Sequence, residues 1–289
     1  MILQALILAM LTLPPPPAGQ SIGSVTLLEG SLRVIRGTTL FQGAEGMNVR
    51  RGDIIESSDG GFVQIEFAGG AIVALGPASR LYIFQHAAGE TSSEQGASLD
   101  LVMLNGWLKG ESGAGRRLFR YRNPMLVVDT AGGTVVVRSS LDTCDIFVES
   151  GSASIGEVNP NGSPRQTISA KVGQFVSRQK GAGITSLPRP SPAFVEAMPR
   201  QFRDTLPSRL AHFAGKSNEP KAVHPVSYEE IQHWLTIPSG WRRGLAERFA
   251  PRLSDADFRK QIELHVSEYP EWEPILHPKK DPESPQVRN

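Results

Sequence analysis

The 289-residue sequence has one cysteine, Cys144, only 7% aromatic residues and no excess of either charge, with 30 Lys and Arg against 29 Asp and Glu. A single cysteine excludes an internal disulfide and an all-thiolate metal site. The charge balance holds over residues 1–190 (16 basic, 15 acidic) and over 191–289 (14 of each). It leaves no field to draw in nucleic acid. After residue 13 no run approaches the ~18 apolar residues of a membrane-crossing helix. The glycines follow no period of three, which excludes collagen. There is no H-E-x-x-H, no phosphate loop and no G-x-S-x-G elbow. No catalytic constellation emerges, so a non-enzymatic protein without cofactor or metal is expected.

The chain opens on an apolar stretch, Met1 to Leu13, ended by Pro14-Pro15-Pro16-Pro17 and followed by the small or polar Ala18-Gly19-Gln20-Ser21. It is too short to span a bilayer, and it reads as a signal peptide over 1–20. The mature protein is then expected in the bacterial periplasm or secreted, meeting the membrane only transiently. No cysteine follows the segment, so no lipid anchor is expected.

Composition breaks near residue 190. Of 29 glycines 26 precede residue 191, whereas five of six histidines and three of four tryptophans follow it. The joint, Leu187-Pro-Arg-Pro-Ser-Pro192, has prolines that fix φ and remove donors. A Pro-rich linker over 188–192 is expected to separate an all-β domain (21–187) from a helical domain (193–278), with a disordered tail over 279–289. In the first region short apolar runs recur: 24–28, 32–35, 62–67, 71–75, 79–84, 99–104, 125–128, 134–137, 145–148 and 152–155. Glycine-containing turns punctuate them, which predicts a sandwich, a barrel or a β-solenoid.

This region also reads as duplicated. Val25-x-Leu27-x-x-Gly30-Ser31-x-x-Val34 matches Ile146-x-Val148-x-x-Gly151-Ser152-x-x-Ile155, and Gly52-Asp53-Ile54-Ile55 matches Gly173-Gln174-Phe175-Val176. The interval from Gly30 to Gly52 equals that from Gly151 to Gly173, so the four glycines are expected to occupy equivalent turns at φ > 0. A third partial copy runs Val102-x-Leu104-Asn-Gly106-x-Leu108.

Five segments in order carry a resemblance: Gly23-Ser-Val25; Glu29-Gly30-Ser-Leu32-Arg-Val34; Val49-Arg-Arg-Gly52-Asp53-Ile54-Ile55; Val63-Gln-Ile65-Glu-Phe67-Ala-Gly69-Gly70; and Ile72-Val-Ala-Leu75-Gly76-Pro77-Ala-Ser79-Arg-Leu81. In that order and spacing the chain resembles the FecR domain family, best over 23–84, with a probable second half over 99–187. Ala68-Gly69-Gly70 departs from the Asp-Gly-Ser turn usual there. The resemblance implies a FecR-like β-solenoid or β-sandwich that binds other proteins in the periplasm. Better-known members relay the state of an outer-membrane transporter to a cytoplasmic sigma factor through an N-terminal sigma-binding region and one transmembrane helix. With an export segment directly before the match, this chain resembles an exported member lacking both.

From 193 on, periodicity is helical. Ser227-Tyr-Glu-Glu230 is a capping box opening 228–235; 241–249 forms a second helix; Ser254-Asp-Ala-Asp257 opens a third, with Phe258, Ile262 and Val266 on one stripe, running to Pro270. Trp234, Trp241 and Trp272 either anchor a small core or dock onto the β region, and a compact helical domain beside it is expected.

Few residues suggest chemistry. Arg116, Arg117, Arg120 and Arg122 form the one basic cluster, suited to glycan or a partner's carboxylates, or else guarding an edge strand. Glu230-x-x-His233 occurs once, too little for a metal centre. Cys144 reads as a small buried hydrophobe. The expected function is a scaffold or signalling module binding an envelope protein. The alternatives are a glycan or peptidoglycan binder, and a β-helical polysaccharide-active enzyme.

Overall fold

A computed structural model describes residues 19–84, 97–112 and 118–278. Residues 1–18, most of the segment expected to be a signal peptide, lie outside the described residues, as do Arg116, Arg117 and residues 279–289, the expected tail. The strands are β1 (Ser21–Glu29), β2 (Leu32–Arg36), β3 (Thr39–Gln42), β4 (Asn48–Arg50), β5 (Ile54–Ser57), β6 (Phe62–Phe67), β7 (Ile72–Leu75), β8 (Arg80–Ile83), β9 (Ala97–Glu111), β10 (Leu118–Arg122), β11 (Leu126–Ser139), β12 (Thr143–Val158), β13 (Pro164–Lys171), β14 (Phe175–Gln179) and β15 (Ile184–Leu187). Helix α1 (Pro192–Ala197) and a last strand, β16 (Lys221–Pro225), precede α2 (Tyr228–Ile231), α3 (Ser239–Phe249), α4 (Ala256–Leu264) and α5 (Glu273–Leu276). Among the described residues no helix is long and apolar enough to cross a membrane.

The fold is mainly β, and its pairing resolves into two layers that share bent strands. The first layer runs β13, the second half of β12, the first half of β11, β10, the first half of β9, β8, β5, β2, β3 and β16. The second runs β15, β14, the first half of β12, the second halves of β11 and β9, then β7, β6, β1 and β4. Alternation puts one set of side chains between the layers: Val34, Ile55, Leu81, Leu101, Met103, Val63, Ile65, Val135, Val137, Ile146 and Ile155 belong to one buried cluster.

Glycines mark the crossings between layers. The chain passes from β1 to β2 at Gly30 (φ 80°), from β4 to β5 at Gly52 (φ 87°) and from β13 to β14 at Gly173 (φ 84°), and β12 bends across at Gly151 (φ 75°). Gly151 is therefore a bend within a strand, against Gly133 of β11, rather than the tight turn expected. Gly106 of the third partial copy likewise lies inside β9, where the strand changes layers. The repeat is clearest around Gly52 and Gly173. Asp53 N–H donates to Arg50 O at 3.2 Å, and Asp53 Oδ2 accepts from Arg50 N–H at 2.9 Å. Gln174 N–H donates to Lys171 O at 3.0 Å, and Gln174 Oε1 accepts from Lys171 N–H at 2.7 Å. The turns match, but Gly52 leads into the first layer and Gly173 into the second.

The C-terminal third covers both outer faces. On the first layer, Ile35, Leu40, Ile54, Tyr82, Phe84, Val102, Leu104 and Val127 share one cluster with Trp234, Leu235, Trp241, Leu245, Phe249 and Trp272. Trp234, edge-on to Tyr82, and Trp241, beneath Arg122, thus dock onto the β unit, while Trp272 packs on Phe258 of α4. On the second layer, Phe62, Ile72, Ala74, Trp107, Val136 and Phe175 are covered by Phe194, Phe202 and Leu206 of a strap between α1 and residue 210. Two details depart from expectation. α4 stops at Leu264, six residues short of Pro270, and β16 is a strand within the region read as helical. Its pairing with β3 (Lys221↔Gln42, Pro225↔Thr39) explains it, because the edge of β3 supplies a ladder that local helical preference cannot match.

Polar side chains stitch the strap to the second layer. Lys109, fully buried, donates to Phe202 O at 3.0 Å and Asp204 O at 2.8 Å, and pairs with Glu149 at 2.9 Å. Glu111 accepts from Leu206 N–H at 2.9 Å, and Gln64 donates to Pro207 O at 2.9 Å. Buried Glu66 accepts from Ser208 Oγ and Arg209 N–H, each at 2.6 Å. Burial pushes the Glu66 pKa up, but hydrogen bonds from Ser208, Arg209, Thr26 and Gln64 outweigh it and hold the carboxyl below its usual range.

Two outcomes are expected. A Cβ at Gly151 would sit 2.5 Å from Gly132 O, whereas one at Gly173 meets nothing within 4 Å. Gly173→Ala should cost only the left-handed backbone penalty, about 1 kcal/mol, and Gly151→Ala at least twice that, read as urea midpoints. Because the folded Glu66 pKa is depressed, its contribution is complete above the ordinary value near 4.5 and is lost as pH falls through the folded value. Glu66→Gln should flatten that acid limb of the stability profile and cost on the order of 2 kcal/mol at neutral pH.

Candidate functional site

Arg120 and Arg122 stand on β10 with their guanidinium groups already engaged. Arg120 donates to both Asp129 oxygens at 2.7 and 2.9 Å, and Arg122 to both Asp100 oxygens at 2.7 and 2.6 Å. Arg122 is 6% exposed and lies over the rings of Phe84 (5.0 Å) and Trp241 (5.3 Å). These forks fix strand to strand, and Arg122 also fixes the first layer to α3. An incoming anion would have to displace an already paired carboxylate from either, the buried Asp100 from Arg122 or the partly exposed Asp129 from Arg120. The pair therefore presents no open cationic face. Arg116 and Arg117 lie outside the described residues.

The segments that carry the family resemblance hold the layer crossings. Ser79, fully buried, donates to Gly76 O at 2.9 Å and Trp107 O at 3.0 Å, and accepts from Trp107 N–H at 2.9 Å. Gly76-Pro77-Ala78-Ser79, where the chain passes from β7 to β8, is thereby tied to the bend of β9 at Gly106. Asp53, 1% exposed, accepts from Arg36 Nε and Nη2 at 2.9 and 2.7 Å besides capping its own turn. Arg248 of α3 reaches the same place and donates to the carbonyls of Ile35, Gly37 and Gly52. Sequence reading identified Gly52 as a hinge but missed Arg248, whose partners are main-chain carbonyls and leave no mark in the sequence.

Two concave sites lie on the outer faces. On the first layer a cross-strand ladder, Arg33–Glu56–Arg80–Asn105, lines a polar cleft of about 310 Å3 with Ser31, Ser58 and Asp59. Burial raises the Glu56 pKa, against the pull of Arg33, Arg80 and the Trp234 N–H, and Glu230 adds to the rise. Glu230 accepts from Ser227 N–H at 3.0 Å and pairs with Arg33 at 2.6 Å, so it acts as a cap and a bracket. On the second layer a cleft of about 490 Å3 opens beside α1, lined by Arg138, Asp145, Phe175, Ser177, Thr185 and Leu187 among others. Burial raises the Asp145 pKa, opposed by the 2.6 Å hydrogen bond from Ser177 Oγ and by Arg138.

Cys144 is 1% exposed, and burial with the neighbouring Asp145 pushes its thiol up, away from nucleophilic character. His265, just past the end of α4, stacks on the Tyr228 ring with centroids 5.4 Å apart. Among the described residues no three His, Cys, Asp or Glu side chains are placed to hold a metal ion.

The remaining feature is an edge. β13 pairs with β12 along one side only, Ser152↔Lys171 through Val158↔Pro164. Of its inward residues, Ala170 belongs to the central core and the half-buried Ile168 packs against it, while Arg165, Thr167, Ser169 and Lys171 are exposed. One end is pinned where Trp241 Nε1 donates to Gly162 O at 3.1 Å, and the other by the Gly173 turn. The stretch between is a fixed, unpaired strand edge of eight residues among the described residues.

No family model matches this chain, and no curated protein matches it. Solved structures similar to it include two from Parabacteroides distasonis, each of a protein provisionally assigned as an anti-sigma factor. One is 13% identical with a TM-score of 0.36, covering 47% of this chain and 59% of that one. The other is 14% identical with a TM-score of 0.37, covering 50% of this chain and 64% of that one. The chain thus spans about three-fifths of the length of each.

Proposed function

We propose that this chain is an exported, non-enzymatic protein-binding module of the bacterial envelope, acting as a scaffold or signalling component. One observation carries the reading: the sandwich already holds the main chain of two segments of its own, a strand and an irregular strap, each by a different means. β16 adds to the edge of β3 through main-chain pairing. The strap at 202–210 is received through its main chain by Gln64, Glu66, Lys109 and Glu111. Recognition of an extended backbone by edge addition and by side-chain contact is the chemistry of peptide capture. A further edge, at β13, is open to the same use. The engaged arginines of β10 favour a protein partner over an acidic glycan, and the apolar leader with its proline stop supports export.

Cross-linking of the full chain in a bacterial envelope, followed by recovery and mass spectrometry, is expected to return one specific protein adduct. Recovery of glycan alone, or of the uncombined chain, would overturn the reading.

A further inference from the structure

We infer that the free edge of β13 is a docking strand for an extended acidic segment of another protein, with carboxylates six residues apart. The inference rests on the protein-binding reading above and assigns its surface and the chemistry of its partner.

The edge is built to stay extended. Its inward side chains, Ile168 and Ala170, are anchored against the core, and both strand ends are pinned, so little order remains to be imposed when a partner pairs with it. Alternation places Arg165, Thr167, Ser169 and Lys171 on the outer face. Beside them on β12 lie exposed Ser152 and Ser154, which face Lys171 and Ser169 across the ladder. The result is a strip of small hydroxyls between two cations. Neither Arg165 nor Lys171 forms an ion pair among the described residues. That separates them from Arg120 and Arg122, whose counter-charges are internal.

Charge selects among occupants. Antiparallel self-pairing centred on Ile168 sets Arg165 of either copy against Lys171 of the other, and like charges directly opposed across a ladder are unfavourable. A second copy is therefore disfavoured at this edge. A strand with an acidic residue at each end and threonine or serine between meets both cations and continues the hydroxyl strip. Alternate apolar residues on such a strand would fall beside Ile168 and Ala170.

The test uses the full chain and a fluorescein-labelled heptapeptide with glutamate at its first and last positions, threonine at the third and fifth, and valine between. Fluorescence anisotropy is expected to show binding that weakens with salt, while the matching peptide with lysine at both ends does not bind. The double substitution R165E/K171E on the exposed edge should reduce affinity for the glutamate peptide about tenfold or more and confer binding of the lysine peptide. Hydrogen exchange should show protection gained along 165–171. Absence of binding, equal binding by the charge-reversed variant, protection confined to another surface, or a dimer paired through β13 would each overturn the assignment. An envelope partner captured through a different surface would also overturn it, while leaving the protein-binding reading intact.

Discussion

Both sheet layers carry apolar patches on their outer as well as their inner faces, and the rest of the structure follows from the need to cover all of them with one chain. The inward faces cover each other. The outward faces cannot, because Ile35, Ile54, Tyr82 and Val102 point away from the core on one side, and Phe62, Trp107 and Val136 on the other. At roughly 25 cal/mol per Å2 of apolar area, leaving either face wet would forfeit a large part of the margin that keeps a domain folded. The C-terminal third supplies both covers, the strap on one side and the tryptophan-bearing helices on the other.

The two covers are held differently. The helical cover is mostly apolar, with Arg248 and Arg122 as polar anchors at its margin. The strap is too short to bury a comparable area and has no regular ladder of its own over 203–209. Its main-chain groups are met instead by buried side chains of β6 and β9. Lys109 and Glu66 would be costly in such positions without partners, and the strap provides them. Charges and cover are therefore mutually dependent.

Much of this was legible in the sequence. The short runs at 62–67 and 134–137, bounded by glycine, mark strands, and the matched glycine intervals mark the layer crossings, because only glycine enters the left-handed region at little cost. The covers were less legible. Phe62, Gln64 and Glu66 carry no local sign that a strap lies over them, since a sequence does not say what covers a face. β16 read as part of a helical region because strand pairing is decided by the edge it meets. At the candidate sites, the basic run of β10 stood out by composition, yet Arg120 and Arg122 are neutralised by Asp129 and Asp100, whose pairing depends on register. Arg165 and Lys171 drew no notice because nothing local distinguishes them. Their significance lies in belonging to a strand with one unpaired side.

The order of the covers along the chain bears on biogenesis. Synthesis delivers the two layers before the residues that shield their backs, so a nascent chain emerging past β15 carries both greasy exteriors bare until the final third is available. Such a species is prone to associate with its neighbours. Productive folding must therefore await the finished polypeptide or a holdase that shields the incomplete one.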